Sequence, residues 1–316
     1  RGLSVLLDGV FNHVSRRNRI VQDAQSAGPD SDAGRMVRWC AGRLDVFEGH
    51  SDLVALNHDN PAVREHVTRI MNYWCGRGVD GWRLDAAYSV NPEFWAAVLP
   101  SVREKYPDVW IFGEVIHGDY ASIVRASGMD SVTQYELWKG IWSSIESRNF
   151  FELDHALGRH NEFSDAFTPM TFVGNHDVTR IASRVGQDGA VLATAILATI
   201  GGIPLIYYGD ELAYRGVKEE RFGGDDDIRP VFPASPADLS NLGADTLRAH
   251  QSLLGLRRRH PWLVDARTES LDLTNERYVY RTGVPGVEPL IVELDVRDGC
   301  SVLIREAGQV VWSSGA

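Results

Sequence analysis

The sequence predicts an α/β chain built on a (β/α) barrel and followed by a small antiparallel β domain. Three observations carry this. Short apolar runs alternate with amphipathic stretches up to about residue 260, as parallel strands joined by crossover helices do. These units are too numerous for a small open sheet. The apolar runs also end in polar groups: Asp8 with Asn12 and His13, Arg83 with Asp85, Glu114, Asn175 with His176 and Asp177, and Asp210 with Glu211. A barrel gathers its functional groups at the C-terminal ends of its strands in this way.

The elements follow in order. "LSVLLDGV" (3–10) is a continuous apolar run, the mark of a strand buried on both faces. Residues 14–60 are polar and irregular. "NPAVREHVTRIMNYWCGRG" opens on the helix-start pair Asn60-Pro61 and carries Val63, Val67, Ile70 and Trp74 at helical spacing. "GWRLDAA" (81–87) is a strand, "NPEFWAAVLPSVREKYP" a second helix opened by Asn-Pro, and "VWIFGEV" (109–115) a strand. "SIVRASG" ends a helix and "DSVTQYE" is a short strand. "PMTFVGNHD", "GAVLATAILATIG" and "IPLIYYGDE" read as strand, buried helix and strand, and "DTLRAHQSLLGLRRRHPWL" as a long amphipathic helix. "RYVYRTG", "EPLIVELDV", "SVLIRE" and "QVVWSS" are short strands separated by turn signals.

Composition bounds the function. The 316 residues suffice for one large domain and a small one, and 44% hydrophobic with 24% charged residues is ordinary for a globular protein. A net charge of −11 argues against nucleic acid and anionic membrane as partners. Cys40, Cys75 and Cys300 are odd in number and far apart, so free thiols are expected rather than a disulfide framework or a metal site. "AVLATAILATIGGIPLIYY", the longest apolar run, is broken by Gly201, Gly202 and Pro204 before it reaches the length of a membrane span. Trp39, Trp74 and Trp82 are read as core, and Asp225, Asp226 and Asp227 as a solvated loop.

Arg83 and Asp85 are two apart and share one face of their strand, so a charged pair is aimed at one place. With "DGVFNH" (8–13), "IFGEV" (111–115) and "FVGNHD" (172–177), "GWRLDAA" resembles the four sequence regions of the alpha-amylase family of glycoside hydrolases, in order and in strand context. "IPLIYYGDE" resembles that family's last barrel strand. The resemblance implies a (β/α)8 barrel with a short domain inserted after the third strand, here residues 14 to about 55. It places the catalytic domain at 1–264 and a C-terminal β domain at 265–316. "DGVFNH" matches the third strand, so an N-terminally shortened barrel of strands three to eight is expected. The strands at Leu3–Val10 and Ile203–Tyr208 would then have free edges.

The resemblance also implies roles. Asp85 matches the nucleophile, Glu114 the acid/base and Asp177 a third carboxylate that holds sugar hydroxyls. His13, His176 and Asp8 match substrate-binding positions, and Arg83 is expected to keep Asp85 ionised. Burial beside Ile111, Phe112 and Val115 suits a Glu114 that must hold a proton. His117 matches an acceptor-side histidine of some relatives. Asn12 either caps its loop or matches a residue that binds a structural calcium; no cofactor is expected in the chemistry itself. Tyr88-Ser89 replaces the Lys-His of many secreted amylases, and "GEVIH" is closer to the cyclomaltodextrinase and neopullulanase group. The implied activity is retaining hydrolysis of α-1,4-glucosidic bonds in malto-oligosaccharides, in the cytoplasm rather than outside the cell. The alternatives are a transglycosylase with the same residues and an inactive amylase-like fragment.

Overall fold

A computed structural model describes residues 2–221 and 223–314. It divides into two compact units, Arg1–Thr133 and Gln134–Ala316.

The first unit is a four-stranded parallel sheet in the order Leu6–Gly9, Gly81–Leu84, Trp110–Gly113, Ser131–Val132. The register sets Asp8 opposite Arg83 and Leu84 opposite Gly113. Helices Pro61–Cys75, Pro92–Arg103 and Tyr120–Ser127 connect the strands. The Asn-Pro pairs start the first two of these as expected: Asn60 and Asn91 accept from the amides of Ala62 and Glu93, and each proline takes the first turn, where no N–H is needed. Val63, Val67, Met71 and Cys75 form the buried stripe of the first helix. The expected Ile70 and Trp74 lie beside that stripe, and Trp74 is 42% exposed, stacked edge-on against Tyr73 rather than placed in the core. Trp82 is buried, its indole N–H directed at the Cys75 sulfur at 3.3 Å.

Two further expectations for this unit are corrected. Leu3, Val5, Leu6 and Val10 are exposed, not buried on both faces, because the Leu6–Gly9 strand lies at the edge of its sheet and pairs there only with Gly81–Leu84. Residues 14–60 are not irregular throughout. Helices Arg19–Ala27 and Asp32–Met36 form behind the caps Asn18 and Ser31, and short antiparallel pairings join His13–Ser15 to Leu53–Ala55 and Trp39–Cys40 to Arg43–Leu44.

The second unit opens on a helical hairpin, Tyr135–Ser147 and Phe150–Ser164, turned by Arg148 in a left-handed conformation and restarted by the cap Asn149. Strands Met170–Phe172 and Ile203–Leu205 pair in parallel, with helix Ile181–Thr199 between them in sequence. Helix Ala244–Arg259 follows. Its Arg257 donates to the carbonyls of Ala198, Ile200 and Gly202 at 3.2, 2.7 and 2.5 Å, satisfying the end of the preceding helix; burial lowers this guanidinium to about 10. The last element is an antiparallel sheet of five strands, Arg267–Leu273, Arg277–Gly283, Leu290–Asp295, Ser301–Glu306 and Gln309–Ser313. The four expected strands are present. The added first strand, "RTESLDL", has mostly exposed side chains and hence no apolar alternation to announce it. Its partner strand buries Tyr278 and Tyr280 into the main cluster with Ile196, Leu253 and Val292. All three cysteines are free, and no helix among the described residues is long and apolar enough to cross a membrane.

His160 is buried in the Phe150–Ser164 helix and donates Nε2–H to the Gly201 carbonyl at 3.1 Å, leaving Nδ1 without a partner. Burial lowers its pKa from 6.5 to about 4. Between those values the unfolded chain binds the proton more readily, so stability is full above pH 6.5 and falls as pH drops toward 4. His160→Gln keeps a donor but cannot titrate. The stability difference between wild type and variant, followed by urea unfolding, should shift against wild type by up to about 3 kcal/mol across that window. A difference independent of pH would refute the assignment.

Candidate active site

In the first unit the sheet itself builds the cluster. Asp85 and Glu114 each follow the last residue of adjacent parallel strands, and both extend the ladder: the Asp85 amide donates to Gly9 at 3.1 Å and the Glu114 amide to Leu84 at 2.8 Å. Trp82 and Leu84 point into the buried layer. Arg83 and Asp85 therefore share the other face, as their spacing predicts. The guanidinium of Arg83 joins three carboxylates, with Nη1 at 2.6 Å from Asp8 and 3.0 Å from Asp85, and Nη2 at 3.0 Å from Glu114. Burial works against the charge of Arg83, but Glu114, Asp8 and Asp85 outweigh it and hold the group above the usual arginine range.

Arg83 therefore serves more than Asp85, and the apolar setting expected for Glu114 is incomplete. Ile111, Phe112 and Val115 are buried, but Glu114 Oε1 faces Arg83 and Oε2 accepts the Ala86 amide at 3.0 Å. That amide is aimed by an alanine in the left-handed region, at φ +46° and ψ +38°. Few non-glycine residues adopt this conformation, which here turns the chain directly after Asp85.

His13 is buried and stacks on Phe47, with ring centroids 4.8 Å apart and planes at 15°. Its Nδ1 lies 3.2 Å from the Asn12 amide nitrogen, which assigns the ring proton to Nε2. Burial lowers the pKa of His13 against an opposing pull from Asp85. Asn12 Oδ1 is buried and meets no donor in the protein, as a cation ligand would. The adjoining recess is lined by Arg38, Asp45 and Glu48, and Arg38 lies 3.6 Å from Asp45. Among the described residues no group of three His, Cys, Asp or Glu is arranged to hold a metal. Asn12 thus fits calcium as a single oxygen of the about six to eight it requires. His117 is exposed, 5.6 Å from the Tyr88 ring, and the Tyr88 hydroxyl donates to Glu48 at 2.7 Å.

In the second unit the chain after Met170–Phe172 turns through Asn175, whose Oδ1 accepts the Asp177 amide at 2.9 Å and whose amide nitrogen donates to the Tyr135 hydroxyl at 2.8 Å. His176 Nε2 lies 3.0 Å from Asp177 Oδ2, and Arg229 Nη2 lies 2.7 Å from Asp177 Oδ1. Arg229 also donates to the His176 carbonyl at 2.8 Å and pairs with Asp225 at 2.8 Å. Asp225 is thus paired within its loop. Arg229, like Ala86 and the Glu48–Tyr88 contact, was missed in the sequence: no local pattern marks an arginine that acts 52 positions from its carboxylate.

Three comparisons bear on this arrangement. Residues 43–267 match the family described as alpha amylase, catalytic domain. The chain is similar to Alpha-amylase 3 of Dictyoglomus thermophilum (34% identity, covering 70% of this chain and 50% of that protein). It is also similar to a maltogenic alpha-amylase of Bacillus acidopullulyticus (30% identity, 84% and 46%). It thus spans about half the length of these curated relatives. Among solved structures it is similar to a cyclic alpha-maltosyl-(1→6)-maltose hydrolase of Arthrobacter globiformis, with a TM-score of 0.80 and 22% identity over 93% of this chain and 68% of that one.

Arg83→Met would leave Asp8, Asp85 and Glu114 without their shared cation. It should lower stability by about 3–5 kcal/mol at low salt, with a smaller deficit at high salt, which screens like charges. Urea unfolding at the two ionic strengths tests this, and a deficit undiminished by salt would count against mutual repulsion as the cause.

Proposed function

We propose, from the premise that this chain belongs to the alpha-amylase family, that the protein is a retaining glycosidase cleaving α-1,4-glucosidic bonds of malto-oligosaccharides. The fold is that family's (β/α) barrel, with the antiparallel sheet of Arg267–Ser313 following in sequence. We assign the parallel strands to barrel positions three to eight, the inserted segment to residues 14 to about 55, and the C-terminal domain to 265–316. The observation that carries the reading is the pair of carboxylates at adjacent strand ends, bridged by one guanidinium. A retaining glycosidase needs two carboxyl groups close together, one ionised beside the anomeric carbon and one delivering a proton to the leaving oxygen.

Asp85 is the nucleophile. Arg83 on the same strand face supports its charge and fixes its rotamer. Glu114 protonates the departing glycosidic oxygen and then takes a proton from the water that opens the glycosyl-enzyme. His13 offers Nε2–H to a sugar hydroxyl, and Phe47 and Asn12 fix its ring. Asp177 and His176 bind hydroxyls of the reacting sugar, Asp8 holds Arg83, and His117 lies on the acceptor side. No cofactor enters the chemistry. A structural calcium would take Asn12 Oδ1 as one ligand. A cytoplasmic location is supported by a relative named intracellular maltogenic amylase of Bacillus subtilis, 29% identical over 68% of this chain.

In the full-length protein Asp85→Asn should lower kcat on maltotriose by at least about 10³-fold with folding retained. Wild-type turnover by this variant would exclude the nucleophile role. Glu114→Gln should regain much of its lost rate on glycosides whose leaving groups depart without protonation. NMR of the first product formed should show the α anomer, and a β product would overturn the retaining mechanism.

A further inference from the structure

Arg180 and Asp210 form a buried ion pair in the second unit, and no role given above uses it. Arg180 is 0% and Asp210 2% exposed, with Nη1 at 2.9 Å from Oδ1. Replacing such a pair by apolar side chains is often neutral for stability, so stability alone is a weak reason for it. Its contacts suggest another. Asp210 packs against Gly174 so closely that a Cβ at position 174 would lie 2.3 Å from Asp210 Oδ2. Gly174 begins the turn that carries His176 and Asp177.

The other partner reaches the same carboxylate by a second route. Arg180 donates Nε–H to the Ile228 carbonyl at 3.0 Å and Nη1–H to the Tyr208 carbonyl at 2.5 Å. Its guanidinium lies over the Tyr207 ring, 4.0 Å from the centroid. The hydroxyls of Tyr207 and Tyr208 hold the same segment, donating to Ile228 at 3.2 Å and Pro230 at 2.7 Å. Between those anchored carbonyls stands Arg229, whose guanidinium meets Asp177 Oδ1 and the His176 carbonyl. Only a planar, forked cation can make the Arg180 contacts together; an ammonium group would keep the charge and lose the geometry.

We propose that the buried Arg180–Asp210 pair is a positioning device for Asp177: Asp210 supports the Gly174–Asp177 turn, and Arg180, through the Ile228 carbonyl, sets where Arg229 meets the Asp177 carboxylate. The proposal rests on the reading of Asp177 as a carboxylate that binds the reacting sugar. Burial, opposed by Arg180, raises Asp210 to about 6, which agrees with a charge retained in this place for what it organises.

The test is a double-mutant cycle in the full-length protein, with 4-nitrophenyl α-maltoside as substrate so that slow variants remain measurable. Arg180→Lys should lower kcat on the order of 10²-fold, the cost of a misplaced catalytic contact, with KM and melting temperature little changed. In an Asp177→Asn background the same change should cost almost nothing further, because the group it positions is already gone. If Arg180→Lys does not fold, the paired replacement Arg180→Met with Asp210→Leu removes the charge pair and supplies the same readings. Equal fold-losses in both backgrounds, or wild-type kcat in the folded variant beside an impaired Asp177→Asn, would overturn the proposal alone. Wild-type turnover by Asp177→Asn would overturn the reading of Asp177, and the proposal with it.

Discussion

One guanidinium organises the first unit. Three carboxylates within reach of one another would repel strongly in a half-buried place, and Arg83, which pairs with all three, makes their company tolerable. The parallel register follows suit. Asp8 stands opposite Arg83 across one ladder, and Asp85 and Glu114 each fall one residue past the last pairing of the next, so three strands converge on a single side chain. Lysine could neutralise one of these carboxylates but could not hold two from separate nitrogens in fixed directions. The cluster thus depends on the shape of the cation as much as on its sign.

The second unit solves a related problem with two arginines. Arg229 is in contact with Asp177, and the buried Arg180 fixes the Ile228 carbonyl on one side of it while the Tyr208 hydroxyl holds the Pro230 carbonyl on the other. The exposed arginine meets the carboxylate, and the buried one limits where it can stand. Asn175 adds a third restraint by closing its side chain onto the Asp177 amide.

What the sequence disclosed was what is local or strictly periodic. The Asn-Pro starts, the two-residue spacing of Arg83 and Asp85, and the motifs around Glu114 and Asp177 each lie within a few residues, and the structure has the helices, strands and neighbours they imply. Reading failed where one residue's environment comes from elsewhere. Ile70 and Trp74 fit a helical repeat, but the sheet meets the stripe of Val67, Met71 and Cys75, one position round. The strand Arg267–Leu273 is polar on its outward face and offered no alternation. The partners of Glu114 were obscured because Arg83 and the Ala86 amide belong to the adjacent strand and the turn after it, not to its own apolar sequence neighbours. Arg229 lay in an acidic loop whose composition suggested only solvent.

Ala86 carries a consequence for how this protein tolerates change. Its left-handed backbone turns the chain directly after Asp85 and presents an amide to Glu114, so one strained residue adjoins both carboxylates. Glycine there would relax the strain, worth about 1 kcal/mol, and would also loosen the turn that aims the amide. A larger side chain would add strain in a place that is already 2% exposed. Robustness and the aim of this amide therefore compete at a single methyl group, and a search for hardier variants would be drawn to this position and would loosen the Glu114 contact by accepting what it finds there.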